Sequence, residues 1–420
     1  MQILYTVLLY LIQPFVWLRL LLRSRKAPDY RKRWSERYGF CKNKVKPLGI
    51  LIHAVSVGET IAAIPLVNLL QEQYPDLPIT ITTMTPTGSV RVTATFGDRV
   101  SHVYLPYDLP CAISRFLNTL QPKIVVIMET ELWPNLISQL HKRHIPLILA
   151  NARLSERSAK GYARLGKSMQ RLLQQITLIA AQNQQDGDRF IQLGLPKENL
   201  VVTGSVKFDI HLSEQQKQTI ATLKQQWQLQ RPVLIAASTH AGEDEIILAA
   251  FKQLLLKFPE LLLILVPRHP ERFKTVEKLI SDQGVNYQLR SQHLIPTHDT
   301  QVILGDTMGE LITLYGMANI AFVGGSLVEN GGHNPLEPAL HKLPIIMGEH
   351  TFNFRVICRL LSQAQGLITI KSTADSLYQA VNNLLTNPEV QQQTGQAAFQ
   401  VLHENQGALL RLNNLIKRYL

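Results

Sequence analysis

The sequence predicts two doubly wound α/β domains behind an apolar, basic amino-terminal segment. Three observations lead there. The chain has 420 residues and 45% hydrophobic content, enough to bury two sizeable cores. Short apolar runs bounded by turn residues alternate with longer amphipathic stretches in two successive series, as buried parallel strands and their covering helices require. The charge is also unevenly placed. Eleven Lys and Arg in residues 1–46, against Asp29 and Glu36, supply +9 of the chain's +12.

The first element runs from Ile3 to Leu22, an apolar stretch interrupted chiefly by Gln13, Pro14 and Arg19. A helix of about twenty residues just crosses a hydrocarbon core of roughly 30 Å, and Pro14 and Arg19 weaken such a span. Trp17 and Arg19 also suit the headgroup level, so spanning and lying in the interface both stay open. The basic block that follows (Arg19, Arg23, Arg25, Lys26, Arg31, Lys32, Arg33, Arg37, Lys42, Lys44, Lys46) points to an anionic bilayer surface. Each such residue contributes on the order of 1 kcal/mol there. Positive charge after the apolar run, and none before it, places the following body on the cytoplasmic side and argues against a cleaved signal peptide. The rest of the chain is nearly neutral, which excludes nucleic acid as the expected partner.

Strand-like runs follow at Gly49 to Val55, Ile79 to Thr83, Val100 to Leu105, Ile124 to Met128, Pro146 to Ala150 and Leu200 to Thr203. A second series comprises Val233 to Ala237, Leu261 to Val266, Val302 to Leu304, Ile320 to Val323 and Leu343 to Met347. The Gln-rich stretch between them reads as a linker with helical character. The expected organisation is an anchor and basic interfacial segment at 1–46, an α/β domain at 47–211, a linker at 212–230 and a second α/β domain at 231–420. Three scattered cysteines without a CxxC pair, and no HExxH cluster, argue against disulfides and a structural metal.

Ligands of open α/β sheets bind beyond the carboxyl ends of the strands, and the candidate sites fall there. Residues 324–338, GGSLVENGGHNPLEP, read as a glycine turn leading into a helix with Asn334 as N-cap, Pro335 as first residue and Glu337 in the first turn. Such a turn offers amides to an anion and a carboxylate to ribose hydroxyls; the alternative is that Asn334 and Glu337 only form a capping box. After the first strand, HAVSVGET places Glu59 at a helix start, where a positive dipole end would keep a general base ionised. Ser56 and Glu59 alone also satisfy a capping box. METELWPN, NARLSERS and GSVKFD close later strands of the first series. In the second, PRHPER offers Arg268 to a phosphate, and GDTMGEL sets Gly309 and Glu310 at a helix start.

Taken in order, HAVSVGE, METELWPN, NARLSERS, GSVKFD, PRHPER, DTMGEL and GGHNPLEP make the chain similar to the 3-deoxy-D-manno-octulosonic acid (Kdo) transferases of lipopolysaccharide assembly, from the apolar segment to about residue 340. The resemblance implies a GT-B fold, two Rossmann-like domains facing a cleft behind an N-terminal membrane-anchor helix. It implies an inverting glycosyltransferase that moves Kdo from CMP-Kdo to a tetraacyl lipid A precursor (lipid IVA). The first domain would bind the acceptor and the second the donor, at the cytoplasmic face of a bacterial inner membrane, with no cofactor beyond the donor and no metal. By position, Glu59 matches the catalytic base. Pro267 and Arg268, then Met308, Gly309 and Glu310, then Asn334, Pro335, Leu336 and Glu337, match the CMP contacts. Arg153, Lys207 and Ser326 lie in family motifs, with phosphate, sugar or acceptor contacts expected. Two rivals are a sugar-nucleotide epimerase of the same architecture and a membrane-tethered nucleotide-binding protein without catalysis.

Overall fold

The computed structural model describes residues 2–25, 27–41, 44–228 and 230–420, so Lys26 and Lys42 of the basic block, and Leu229, lie outside the described residues. The chain divides into two compact units, Met1–Asp209 with Gln406–Leu420, and Ile210–Asn405.

The first unit holds seven parallel strands, β1 (Ile50–His53), β2 (Ile79–Thr83), β3 (Ser101–Tyr104), β4 (Ile124–Met128), β5 (Leu147–Ala152), β6 (Leu178–Ala181) and β7 (Leu200–Val202), in the order β3-β2-β1-β4-β5-β6-β7. Neighbouring residues of a strand face opposite ways. Ile50 and Ile52 therefore join Ile79, Ile81, Ile124 and Val126 in one core, and Leu51 joins Val125, Ile127 and Leu149 in the other. Helices cover both faces, which is why these strands read as unbroken apolar runs.

The second unit repeats the plan with β8 (Val233–Thr239), β9 (Leu262–Pro267), β10 (Tyr287–Leu289), β11 (Val302–Leu304), β12 (Ile320–Val323), β13 (Ile345–Gly348) and β14 (Leu367–Ile370), in the order β10-β11-β9-β8-β12-β13-β14. Three of the fourteen strands among the described residues escape the sequence pattern. β6 is a four-residue LIAA run, while β10 and β14 are sheet edges with partly exposed side chains, so their hydrophobic signal is diluted.

The structure corrects three expectations about the organisation. The stretch expected as a linker with helical character at 212–230 does hold a helix, Glu214–Trp227, started by a full Ser213–Gln216 capping box, but its Leu223 and Trp227 are part of the second unit's core. The last residues of the expected second domain belong instead to the first unit. There, Ala408, Leu412, Leu415 and Ile416 of helix Ala408–Lys417 enter the core beside Ile50 and Ile52. Asp209 fastens that helix by accepting the Gly407 amide and, at 2.6 Å, the Leu409 amide.

The third correction concerns the expected anchor helix. It is two helices, α1 (Gln2–Leu11) and α2 (Gln13–Ser24), bent by 49°; among the described residues no single helix is long and apolar enough to cross a membrane, and only this bent pair taken together has the length and composition. Pro14 explains the break, since it has no N–H to give the preceding turn and its ring crowds the carbonyl four residues back. One side of the pair is tied to the body. Tyr5 donates to Asp108 at 3.1 Å, Thr6 to Asn135 at 3.1 Å, and Trp17 to the Tyr38 hydroxyl. The opposite side leaves Ile3, Leu4, Leu8, Leu11, Phe15, Leu18 and Leu22 exposed.

Replacing Asp209 by Ala removes the cap of the C-terminal helix and is expected to destabilise the protein by about 1–2 kcal/mol, read as a lower urea midpoint. An unchanged midpoint would show that core packing alone holds the helix.

Candidate active site

In the first sheet the strand order reverses between β1 and β4, the point where an open α/β sheet leaves a crevice beyond its strand ends. Glu59 stands there, in the first turn of α3 (Val57–Gln73), which follows β1. Ser56 caps that helix, and its hydroxyl also donates to Glu59 Oε1 at 2.9 Å, while the Val55 amide donates to Oε2 at 2.7 Å. The capping interaction read from the sequence is therefore real, and it aims the carboxylate back at the strand end. Burial pushes the Glu59 pKa up, against the lowering effect of the Val55 and Ser56 hydrogen bonds. The helix end does not keep this acid below the ordinary range, because desolvation penalises the charged form more strongly.

Glu129 and Glu131 follow β4, and Glu129 holds a left-handed backbone with φ of 58°. The Arg153 guanidinium, at the end of β5, donates to Glu129 at 3.1 Å. Glu131 is pushed up to about 7, by burial first and then by the nearby Glu59 and Glu129 carboxylates. Lys207, beyond β7, is pulled down by burial, opposed by Glu129. The unit thus gathers three carboxyl groups and two cations at the ends of β1, β4, β5 and β7. Arrangements of this kind hold proton-exchanging groups near neutral pH.

The second sheet reverses between β8 and β12. Pro267 ends β9, and Arg268 follows it exposed, its amide donating to the Thr239 carbonyl at 3.0 Å. The Met308–Gly309–Glu310 turn follows β11. Met308 is exposed, Gly309 has φ of +86°, and Glu310 is gripped by Thr307 and by the buried Arg290 at 2.9 Å. Asn334, Pro335, Leu336 and Glu337 follow β12, so the three expected contact segments stand at the carboxyl ends of β11, β9 and β12. The short helix Leu311–Tyr315 after the second segment packs on helix Leu336–Leu340 of the third. Burial raises the Glu337 pKa, with Asn334 and Arg268 acting to lower it.

The glycine turn differs from its sequence reading. Helix Leu336–Leu340 has Pro335 as its N-cap, and Asn334 serves it with its side chain, accepting from the Leu336 amide at 3.1 Å and donating to Glu337 at 3.2 Å. The amides of Gly325, Ser326 and Leu327 are taken by the fully buried Glu243 carboxylate at 2.7, 3.0 and 2.9 Å. An internal acid occupies the place expected for an external anion. Gly324 is needed for close packing instead, since a Cβ would meet the Ser238 carbonyl oxygen at 2.5 Å. Ser326 is sealed in the core, donating to the Val323 carbonyl and accepting the Gly348 amide, and Leu336 is likewise buried, so any ligand contact from Leu336 is through its backbone.

The strand end that sequence reasoning passed over is that of β8. STHAGEDE follows it and supplies Glu243, which also accepts the His240 amide at 2.9 Å, and Asp244, which pairs with Arg272. His240 meets His333 with Nε2 atoms 2.7 Å apart. The rule that placed every other candidate, polar residues just past a buried strand and opening a helix, applies equally to this segment.

The two parallel sheets, with candidate sites at their strand ends, define the class of fold, GT-B. The structure aligns over 89% of the chain with all of MurG from Acinetobacter baumannii, at a TM-score of 0.57 and 13% identity, a likeness of fold. The family model for glycosyl transferases group 1 matches residues 235–401. The model for 3-deoxy-D-manno-octulosonic-acid transferase matches residues 32–210. A transferase of that name from Haemophilus influenzae is 54% identical over 99% of this chain and 98% of its own. Another from Bordetella pertussis is 33% identical over 99% of both. The chain belongs to the Kdo transferase family and is a glycosyltransferase.

Glu243→Ala would strand backbone donors in the core, each unsatisfied one costing about 1–3 kcal/mol. Thermal unfolding is expected to shift down sharply for this variant, whereas a wild-type melting curve would mean that the turn finds other acceptors.

Proposed function

We propose that the enzyme transfers Kdo from CMP-Kdo to the tetraacyl lipid A precursor lipid IVA, with inversion, at the cytoplasmic face of the inner membrane. The observation that carries this reading is Glu59, a buried carboxylate with a raised pKa at the switch point of one unit, in a family whose chemistry needs a base. The acceptor hydroxyl attacks the anomeric carbon of Kdo and gives its proton to Glu59. The bond from that carbon to the phosphate oxygen breaks, and CMP leaves with the electron pair. Attack opposite the leaving group inverts the centre.

Arg268 is placed to balance the charge of the departing phosphate, as a planar guanidinium can bind two oxygens at once. Pro267, Met308, Gly309, Glu310, Asn334, Pro335, Leu336 and Glu337 would hold the nucleotide, with Glu337 facing ribose hydroxyls. Lys207 and Arg153 beside Glu129 and Glu131 suit an acceptor that carries phosphate. With protons handled by carboxylates and phosphate charge by guanidinium, the reaction is proposed to need neither metal nor cofactor.

A lipid acceptor also accounts for α1 and α2. Their exposed apolar side and the neighbouring arginines fit an in-plane association with an anionic bilayer, supported by the hydrogen bonds that tie the other side to the body. Of the two readings left open by the sequence, this one takes the interfacial. The epimerase rival offers no role for that surface, and the non-catalytic rival offers none for the carboxyl cluster.

Glu59→Gln should lower kcat for Kdo transfer by about 100-fold or more while leaving the donor KM nearly unchanged. Full transfer by this variant would remove Glu59 from the role of base. In the native enzyme a protonated Glu59 cannot accept a proton. The raised pKa therefore means that kcat/KM falls as pH drops through a value above the ordinary carboxylate range, and an acid limb at the ordinary value would contradict it. Leu4→Ser with Leu11→Ser and Phe15→Ser should reduce sedimentation with anionic vesicles without altering thermal unfolding; retained binding would shift the attachment to the basic block.

A further inference from the structure

Three adjacent strands of the second unit, β9, β8 and β12, deliver His269, His240 and His333 to one place. The His240 and His333 rings are parallel to within 3°, and their Nε2 atoms are 2.7 Å apart. Parallel planes no further apart than that cannot be stacked rings, so the imidazoles lie end to end in one plane, with centroids 5.0 Å apart. This is the geometry of an N–H···N hydrogen bond. Such a bond requires one Nε2 to carry the proton and the other to be bare. The accepting ring then carries its own proton on Nδ1, and the donating ring has a bare Nδ1. The pair can therefore take one additional proton, at that bare Nδ1, without breaking the bond; a second would put protons on both facing nitrogens.

Neither Nδ1 has a hydrogen-bond partner among the described residues, and neither is among the sealed, unpaired buried atoms. The surrounding charge favours an arriving anion. Arg268, His269 and Arg272 come from the exit of β9, and His269 meets His240 edge-on with centroids 5.4 Å apart. The acids close by are already engaged, Glu243 by four backbone amides, Asp244 by Arg272 and Thr239, and Glu337 by Asn334. Burial, followed by His240 and then Arg268 and His269, holds the His333 pKa down at about 4, and burial, followed by His269, Arg272 and Arg268, lowers that of His240. A ligand's negative charge would act in the opposite direction and favour the protonated form of the pair.

We propose that His240 and His333 form one oxyanion-binding dyad that takes up a single proton from solvent when a charged group of the sugar nucleotide seats against it. The inference rests on the donor reading above and adds two residues to the binding site. The dyad's protonated Nδ1 donates to an oxygen of either the phosphate or the sugar carboxylate. It would supply positive charge that appears only when ligand is present, beside the permanent charge of Arg268.

The test is calorimetric titration of the full-length enzyme with CMP, cytidine and free Kdo at about pH 8, where the CMP phosphate is fully ionised. Each titration is run in buffers of different ionisation enthalpy, which reports protons taken up. Native enzyme is expected to take up protons with CMP and none with cytidine, which assigns the phosphate; uptake with Kdo and not CMP assigns the carboxylate. His240→Gln and His333→Gln keep a polar side chain that cannot titrate. Each should diminish the uptake and weaken binding of the assigned ligand by roughly tenfold, and the double variant should abolish the uptake. Two positions guard against one variant failing to fold, and mere loosening of the turn would lower affinity without removing proton linkage. Binding without uptake in native enzyme, or uptake unchanged in both variants, overturns the dyad while leaving the donor reading intact. Failure of native enzyme to bind either CMP or Kdo overturns both.

Discussion

A parallel sheet ends in a row of backbone groups and helix starts on one edge, and these donors must be satisfied wherever they are buried. In this protein the acids near that edge do much of that work. Glu243 accepts amides from His240, Gly325, Ser326 and Leu327, and so joins the ends of β8 and β12 through a single carboxylate. Asp108 accepts the Asn135 and Leu136 amides at 2.9 and 2.8 Å and starts the helix after METELW, and Glu36 accepts the Tyr104 amide at 3.0 Å. Loops that carry chemistry are thereby held by internal anions, with no ligand needed to order them.

The same acids separate into two kinds by their partners. Glu243 has every strong acceptor position filled by backbone, and burial without a route to water makes it structural. Glu59 has one backbone donor and one hydroxyl, and Glu131 is pushed up by burial and then by its neighbours, with no compensating hydrogen bond among the causes of its shift. Carboxylates that are buried yet incompletely satisfied can exchange protons near neutrality; fully satisfied ones cannot do so without disturbing the fold. On the cation side, Arg272 is committed to Asp244 and the Thr239 carbonyl, while Arg268 carries its charge exposed at the strand end.

Much of the fold was legible because buried parallel strands are largely unbroken apolar runs, and Ile124–Met128, Val302–Leu304 and Ile320–Val323 begin and end where their hydrophobicity does. The candidate segments were legible for a related reason, since polar residues must resume where each strand leaves the core. What escaped was pairing over long separations. Nothing in the spacing of residues 243 and 325 announces a carboxylate among amides, and nothing local joins His240 to His333 across 93 positions. The helix Ala408–Lys417 likewise returns to a core built from residues between Ile50 and Val206, a choice made by packing volume and by Asp209.

By itself, then, the sequence determined the two α/β units, the family, and the strand ends at which the candidate residues Glu59, Arg268, Glu310 and Glu337 stand. Tertiary structure alone decided which of those groups are free to act. It assigned the glycine turn's amides to Glu243, Ser326 to the core, the C-terminal helix to the first unit, and the apolar segment to two helices laid against the body. The physical reason is that periodicity records whether a side chain is buried, a one-dimensional property, whereas a hydrogen bond or an ion pair depends on which distant residue folding brings within about 3 Å.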